Sequence, residues 1–198
     1  SLLINLTSAQ SQGMGNDIPT QEKLIAEATA AVPAAKPKKV YTVQDLRTVP
    51  DSKAAEKSYG NQVMVVLGRH TGATSQATLY AVAKATDNND ASALSALPTI
   101  QREYDALVEE LADVAVPATL APIHVQILNS LALTAATFAD MKLVLSDPLR
   151  GLQGIQQYQL QLGAVGRVFT AMAQILNKNG ILFNKDEPGA AWSVFVAP

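Results

Sequence analysis

Apolar residues recur every three or four positions through much of the second half of the chain. One such stripe runs from Leu97 to Leu111, two longer stripes run over residues 120–145 and 152–176, and polar residues fill the positions between them. This spacing is typical of amphipathic α-helices. In the first of these helices the stripe consists of Leu97, Ile100, Tyr104, Leu107, Val108 and Leu111.

Start and stop signals bracket these helices. Thr119 is predicted to cap the second helix and Asp147 the third, with Pro122 and Pro148 in their first turns, where proline is tolerated. Gly180 is a suitable residue to end the last helix. The sequence therefore predicts three helices joined by short loops.

A fourth long helix is predicted from the N-cap at Asp51-Ser52 to about Thr86. Its stripe consists largely of small residues, and Gly60, Gly68 and Gly72 each weaken a helix by about 1 kcal/mol relative to alanine. Close packing of a neighbouring helix against the small residues is expected to offset that loss. A turn at residues 87–90 and a short helical piece at 91–97 follow.

The two ends of the chain do not share this pattern. Residues 1–50 are predicted to form an N-terminal arm, a short helix at Gln21–Ala31 and a Pro-rich linker that lies along the surface or pairs briefly as an edge strand. Residues 51–180 are predicted to form the helical part. Residues 181–198 form a short β-like C-terminal tail, which packs on the helices or on a neighbour.

These elements predict an all-α fold, an antiparallel bundle of about four long helices. Each helix has a single apolar stripe, and a bundle is the arrangement that lets every stripe face another. A chain of 198 residues is long enough to bury such a core without disulfides or metals.

Composition narrows the class of protein. Hydrophobic residues make up 48% of the chain but aromatic residues only 5%, a mixture that favours helix. The formal net charge is −2, and the basic residues cluster only at Lys36, Lys38 and Lys39. This charge pattern argues against nucleic-acid binding and leaves weak contact of the lysine run with an anionic surface as an alternative.

No apolar run in the sequence reaches the roughly 18 to 20 residues that a membrane span needs, so no span is expected. The chain contains no cysteine, which excludes disulfides, thiol nucleophiles and cysteine-ligated metals. It begins with Ser1 rather than Met, and we expect an N-terminus made by processing, with earlier removal of a signal peptide or anchor left open. The expected location is extracellular or at the cell surface, and a cytoplasmic location stays open.

The sequence offers no catalytic, metal-binding or cofactor-binding constellation. The two histidines, His70 and His124, lack the Glu-x-x-His spacing of di-iron bundles, and the acidic pairs in residues 103–113 fall on the polar face of their helix. The glycine-rich stretches 13–15 and 151–154 lack the lysine and the strand-turn-helix context of a phosphate loop. We therefore expect no enzyme, no metal and no cofactor.

Apolar residues at both termini are unusual, since free ends are normally polar. Leu2-Leu3-Ile4 and residues 192–196 either fold back over the helices or dock onto a neighbouring subunit. Asn5-Leu6-Thr7 is a sequon, which matters only on a glycosylating export route.

The second half of the chain contains a series of short motifs at characteristic spacing: Pro117, His124, Leu128-Asn129-Ser130, Asp147-Pro148-Leu149, Tyr158 and Gly180-Ile181-Leu182-Phe183. In these motifs, over about residues 100–190, the chain resembles uncharacterised exported helical proteins of candidate-phyla bacteria with small genomes. The resemblance implies a cell-envelope or surface protein, in a group associated with pilus and secretion genes, and it assigns no activity to any residue.

Together these observations predict a non-enzymatic structural or interaction protein of the cell surface. It could be a subunit of an extracellular assembly or filament, with a protein partner or a second copy contacting the apolar termini. The alternative is a sensor or small-ligand-binding bundle, in which His70, His124, Tyr104 or Tyr158 line a pocket between helices.

Overall fold

The computed structural model describes residues 33–72 and 75–195, and these ranges form a mostly helical structure. Its α-helices are α1 (Lys53–Arg69), α2 (Ser75–Asn88), α3 (Leu97–Ala112), α4 (Ala121–Met141) and α5 (Pro148–Lys178). Two short strands, β1 (Thr48–Val49) and β2 (Val116–Pro117), pair in parallel. Single 3₁₀ segments lie at Val43–Asp45, Ala91–Ala96, Ala118–Leu120 and Pro188–Phe195. The all-α class is confirmed, and the predicted helix at 21–31 lies outside the described residues.

Two of the three predicted N-caps are confirmed. The Ser52 hydroxyl accepts a hydrogen bond from the backbone N–H of Ala55 (3.1 Å), and the Asp147 carboxylate accepts one from Arg150 (3.3 Å). Thr119 does not cap α4, which begins instead from a 3₁₀ turn. Its N–H and hydroxyl both donate to Asp51 (3.0 and 2.7 Å), so this threonine ties α4 to the start of α1.

The prediction of one long helix from residue 51 to about 86 is wrong. α1 ends at Arg69, since His70 has non-helical dihedral angles (φ −102°, ψ 46°), and α2 begins at Ser75. The glycines at 68 and 72 weaken the helix here, and the His70 ring binds α3, which favours a break at this point. Within the described residues, the stretch predicted as one helix therefore forms two, α1 and α2.

α4 lies between α3 and α5 and packs against both. Its Phe138 ring lies 5.5 Å from Tyr104 of α3 and 5.5 Å from Tyr158 of α5, measured between ring centroids. The six apolar residues predicted for the α3 stripe are all buried in this core.

The segment 118–141 is long and apolar enough to span a membrane by length and composition, unlike the sequence-based expectation. The core helix of a globular fold passes the same test. Here α4 buries His124, Thr134, Thr137 and Asp140 against its neighbours.

Two glycines allow α5 to approach the end of α4 closely. A Cβ atom on Gly154 would lie 2.7 Å from the backbone nitrogen of Met141, and one on Gly151 would lie 2.2 Å from the Cα of Val144. Both glycines belong to the stretch 151–154, which lacks the lysine and the strand-turn-helix context of a phosphate loop. Their role in the fold is packing against the α4 backbone.

The C-terminal tail is not β-like. Residues Pro188–Phe195 form a 3₁₀ helix that packs on α1 and α5. The Trp192 side chain is 3% exposed and its indole N–H donates to the Gly60 carbonyl (3.0 Å), while the Phe195 ring lies 5.3 Å from that of Phe169. A short apolar run without a partner strand gains more from this burial than from an extended conformation.

The Pro-rich segment follows the surface of the helices, and it pairs as a strand at β1. The Asn129 side chain makes two hydrogen bonds to the backbone of Tyr41 (2.7 and 3.0 Å), and Gln157 accepts one from the N–H of Ala35 (2.9 Å). The segment is thereby attached to α4 and α5.

Gly154→Ala is expected to destabilise the protein by about 1 to 3 kcal/mol, because the added methyl group meets the α4 backbone, which cannot move aside. The matched control is Gly68→Ala on α1, where an added Cβ meets nothing within 4 Å; this change is expected to stabilise by up to about 1 kcal/mol. Urea unfolding followed by circular dichroism measures both. Equal effects of the two substitutions would contradict the packing role of Gly154.

Candidate functional site

The most deeply buried polar side chain that could carry chemistry is His124 on α4. Its Nδ1 lies 2.9 Å from the Tyr59 hydroxyl of α1, and its Nε2 lies 3.0 Å from the Leu111 carbonyl at the end of α3. A carbonyl only accepts, so Nε2 carries the proton and Nδ1 accepts from Tyr59. Both ring nitrogens are therefore occupied within the fold.

Burial sets the protonation of this pair. The His124 side chain is fully buried, and loss of hydration lowers the pKa of its imidazole to about 4 from 6.5. Burial also raises the pKa of the Tyr59 hydroxyl. A neutral imidazole and a neutral phenol thus link α1, α3 and α4.

His70 follows the last residue of α1 and contacts two carboxylates of α3. Its Nδ1 lies 3.2 Å from Glu103 and its Nε2 lies 3.1 Å from Glu110, which also pairs with Arg69 (3.2 Å). Carboxylates only accept, so the doubly protonated ring is the form that donates to both. The sequence-based reading placed these glutamates on a solvated face and missed the contact, because it depends on the helix break at His70.

Of the four residues suggested for an inter-helical ligand pocket, the structure brings together Tyr104 and Tyr158. His70 lies at the α1–α3 surface and His124 is paired with Tyr59. Tyr104 and Tyr158 both contact the Phe138 ring and are at most 5% exposed. The buried Tyr158 hydroxyl lacks a hydrogen bond of good geometry, although Thr78 and Tyr104 are close enough to influence its pKa, which burial raises.

Most of the remaining charged candidates are paired within the chain. Asp105 binds Lys38 (2.6 Å), Asp45 binds Lys39 (2.8 Å) and Glu187 binds Lys57 (2.9 Å). Two lysines of the basic run are therefore occupied by carboxylates. In residues 33–72 and 75–195, no group of three or more His, Asp or Glu side chains is arranged to hold a metal ion.

Two concave surfaces remain as binding candidates. A groove of about 520 Å³ lies between α1 and the end of α3, beside Val65 and Arg69. A cavity of about 360 Å³ lies between the end of α5 and the C-terminal 3₁₀ helix, with Trp192 in its wall. The sequence-based interpretation anticipated neither. The groove is formed by elements distant in the chain, and the cavity, lined by residues 173–193, depends on how the C-terminal 3₁₀ helix folds back beside α5.

One helix surface is also left uncovered by the described residues. We call it the α5 outer face; its exposed members are Gln159, Leu160, Gly163, Gly166 and Arg167. Leu160 is 69% exposed, and α5 contains no acidic residue. An exposed leucine with few charges around it is typical of the centre of a protein interface.

Comparison of the chain with protein-family models, curated proteins and solved structures finds no significant match. The residues and surfaces described above are therefore the evidence on function.

The stability of the protein is expected to fall as the pH is lowered from about 6.5 towards 4. Because burial lowers the pKa of His124, the native state binds this proton more weakly than the unfolded chain does. The stability associated with the neutral ring is complete above the unfolded pKa and is lost as the pH falls to the folded value. The loss amounts to about 3 kcal/mol. Urea unfolding at pH 7.5, 5.5 and 4.0 measures it.

His124→Gln is expected to flatten this pH dependence, whereas the control His70→Gln retains the contribution of His124. Asp45, whose pKa is lowered to about 2, titrates below this range. Ring chemical shifts report the protonation of His124 directly. A transition of the His124 ring near pH 6.5 in the folded protein would refute the assignment.

Proposed function

We propose that this chain is a non-enzymatic structural or interaction protein of the cell surface that associates with copies of itself. The observation that carries the proposal is the α5 outer face, where Leu160 is 69% exposed on a helix with no acidic residue. The polar residues that enzymes most often use are engaged elsewhere: His124 supports the core, and His70 binds two surface carboxylates.

The α5 outer face is complementary to a second copy of itself. If two α5 helices cross in antiparallel orientation at Gly163, Leu160 of each copy lies over Gly166 of the other. Gly166 has open space around it, since a Cβ added there would meet nothing within 4 Å. A large residue opposite a missing side chain allows close packing, and a two-fold arrangement uses the same surface twice.

The charge of this face is also compatible with self-association. Arg167 is its one charged member. Its guanidinium lies over Gly163, 3.3 Å from the position of a Cβ added there, and has to turn towards solvent when two helices cross at this glycine. Interface centres are depleted in charged residues and the rims are polar. Two copies can therefore meet at Leu160 without bringing like charges into the dry centre.

The apolar termini contribute differently to this proposal. The rings of Trp192 and Phe195 pack within the chain and are not available to a neighbour. Leu2-Leu3-Ile4 lies outside the described residues, and we retain it as a second docking segment. The antiparallel helical bundle expected from the sequence is part of this proposal, as the scaffold that presents α5 at the surface.

Leu160→Lys is expected to weaken self-association by about tenfold or more, because it places two ammonium groups at the centre of the face. Val194→Lys is the matched control, since Val194 is 74% exposed and lies outside this face. Sedimentation equilibrium over a wide concentration range measures the dissociation constant of each full-length variant.

A wild-type chain that stays monomeric at every concentration, or a Leu160→Lys variant that associates like wild type, would overturn the proposal. A chain lacking residues 1–19 measures the contribution of the arm. Weaker association of this chain supports docking of Leu2-Leu3-Ile4, and unchanged association assigns the contact to α5.

The location at the cell surface is proposed from the resemblance of residues 100–190 to exported proteins, and the absence of cysteine is compatible with it. Protease added to intact source cells is then expected to digest the protein while a cytoplasmic marker survives. Immunoblotting before and after lysis provides the measurement, and protection until lysis would contradict the location.

A further inference from the structure

The cavity beside the C-terminal 3₁₀ helix has the size and the walls of a ligand site. Its volume of about 360 Å³ falls within the range of roughly 300 to 1,000 Å³ that small-molecule sites occupy. Leu176, Ile181 and Trp192 form apolar walls that the rest of the chain buries. Apolar walls of this kind favour a ligand with a hydrocarbon or aromatic body.

The walls of the cavity are held in place by α1. The Gly189 N–H donates to the Asn61 side chain (2.8 Å), and the Trp192 indole N–H donates to the Gly60 carbonyl (3.0 Å). Glu187 is fixed by its pair with Lys57 (2.9 Å) and by the backbone N–H of Asn184 (2.5 Å). Because these walls are already fixed, the protein loses little conformational entropy when a ligand binds.

The polar residues of the cavity indicate the second part of the ligand. Among the described residues that line it, Lys185 is the one with a charge, and Asn177 and Ser193 are its polar companions. Within the described part of the chain Lys185 forms no ion pair. Of the two acidic residues that follow it, Glu187 is occupied by Lys57 and Asp186 is exposed to solvent. A lysine without an ion pair at the edge of an apolar cavity is complementary to an anion.

We propose that this cavity binds a small amphiphile with an apolar body and a carboxylate head group. The body lies against Leu176, Ile181 and Trp192, and the carboxylate accepts hydrogen bonds from Lys185. A medium-chain fatty acid is the simplest member of this class. The site is separate from the α5 outer face and does not depend on self-association.

Trp192 makes the proposal directly testable, because it is the one tryptophan of the chain and lies in the cavity wall. Decanoate and decanol are titrated into the full-length protein below the concentrations at which they aggregate, and the tryptophan emission is recorded. Decanoate is expected to give a saturable change, and decanol a weaker one.

Lys185→Gln is expected to weaken decanoate binding by about threefold to fivefold, as for a partly exposed ion pair, and to leave decanol binding unchanged. Lys178→Gln is the matched control, because Lys178 lies near the end of α5 but does not line the cavity. Circular dichroism of the exposed-lysine variants verifies that they fold.

No saturable emission change with decanoate would overturn the proposal. A response that Lys185→Gln leaves unchanged, or that Lys178→Gln reduces equally, would refute the role of Lys185 as the recognition group. Because these measurements follow ligand binding at the cavity, their failure leaves the self-association experiment on Leu160 unaffected.

Discussion

The hydrogen-bonded link from Tyr59 through His124 to the Leu111 carbonyl is the interaction on which the arrangement of helices depends. It joins α1, α4 and the end of α3 at one fully buried ring. The ring must stay neutral, because an imidazolium there would lose its hydration without a carboxylate to replace it. The position that Tyr59 fixes for α1 then sets the position of Gly60, the next residue, which receives Trp192 and the Phe183 ring. The wall of the C-terminal cavity is thus linked to the buried histidine.

The second constraint is the close approach of α5 to the end of α4. Gly151 and Gly154 have no side chain to separate the helices, so Tyr158 can reach Phe138 of α4 and Tyr104 of α3. This packing commits one side of α5 to the core. The other side, around Leu160, is left uncovered by the described residues. The same helix therefore supplies a close backbone contact in the core and the surface proposed for self-association.

The candidate sites could be predicted only in part from the sequence. The sequence shows that His124 lies on a helix without metal-ligand spacing, but its two partners, Tyr59 and the Leu111 carbonyl, are known only from the structure. The contact of His70 with Glu103 and Glu110 could not be predicted, because it requires the chain to leave the helix at residue 70. The C-terminal cavity could not be predicted either, since its walls come from α5 and residues 181–193 and are held by α1. The pattern within one stretch of sequence does not show which distant helix will hold that stretch in place.

The amino-acid sequence by itself determined the helical class, the apolar face of α3 and the caps at Ser52 and Asp147. These depend on periodicity and on hydrogen bonds between residues a few positions apart, both of which are local. Only the tertiary structure decided where the long predicted helix breaks, that Thr119 binds Asp51 instead of capping α4, and that the tail folds as a 3₁₀ helix. In each case a contact between distant residues outweighs a local preference worth about 1 kcal/mol or less per residue.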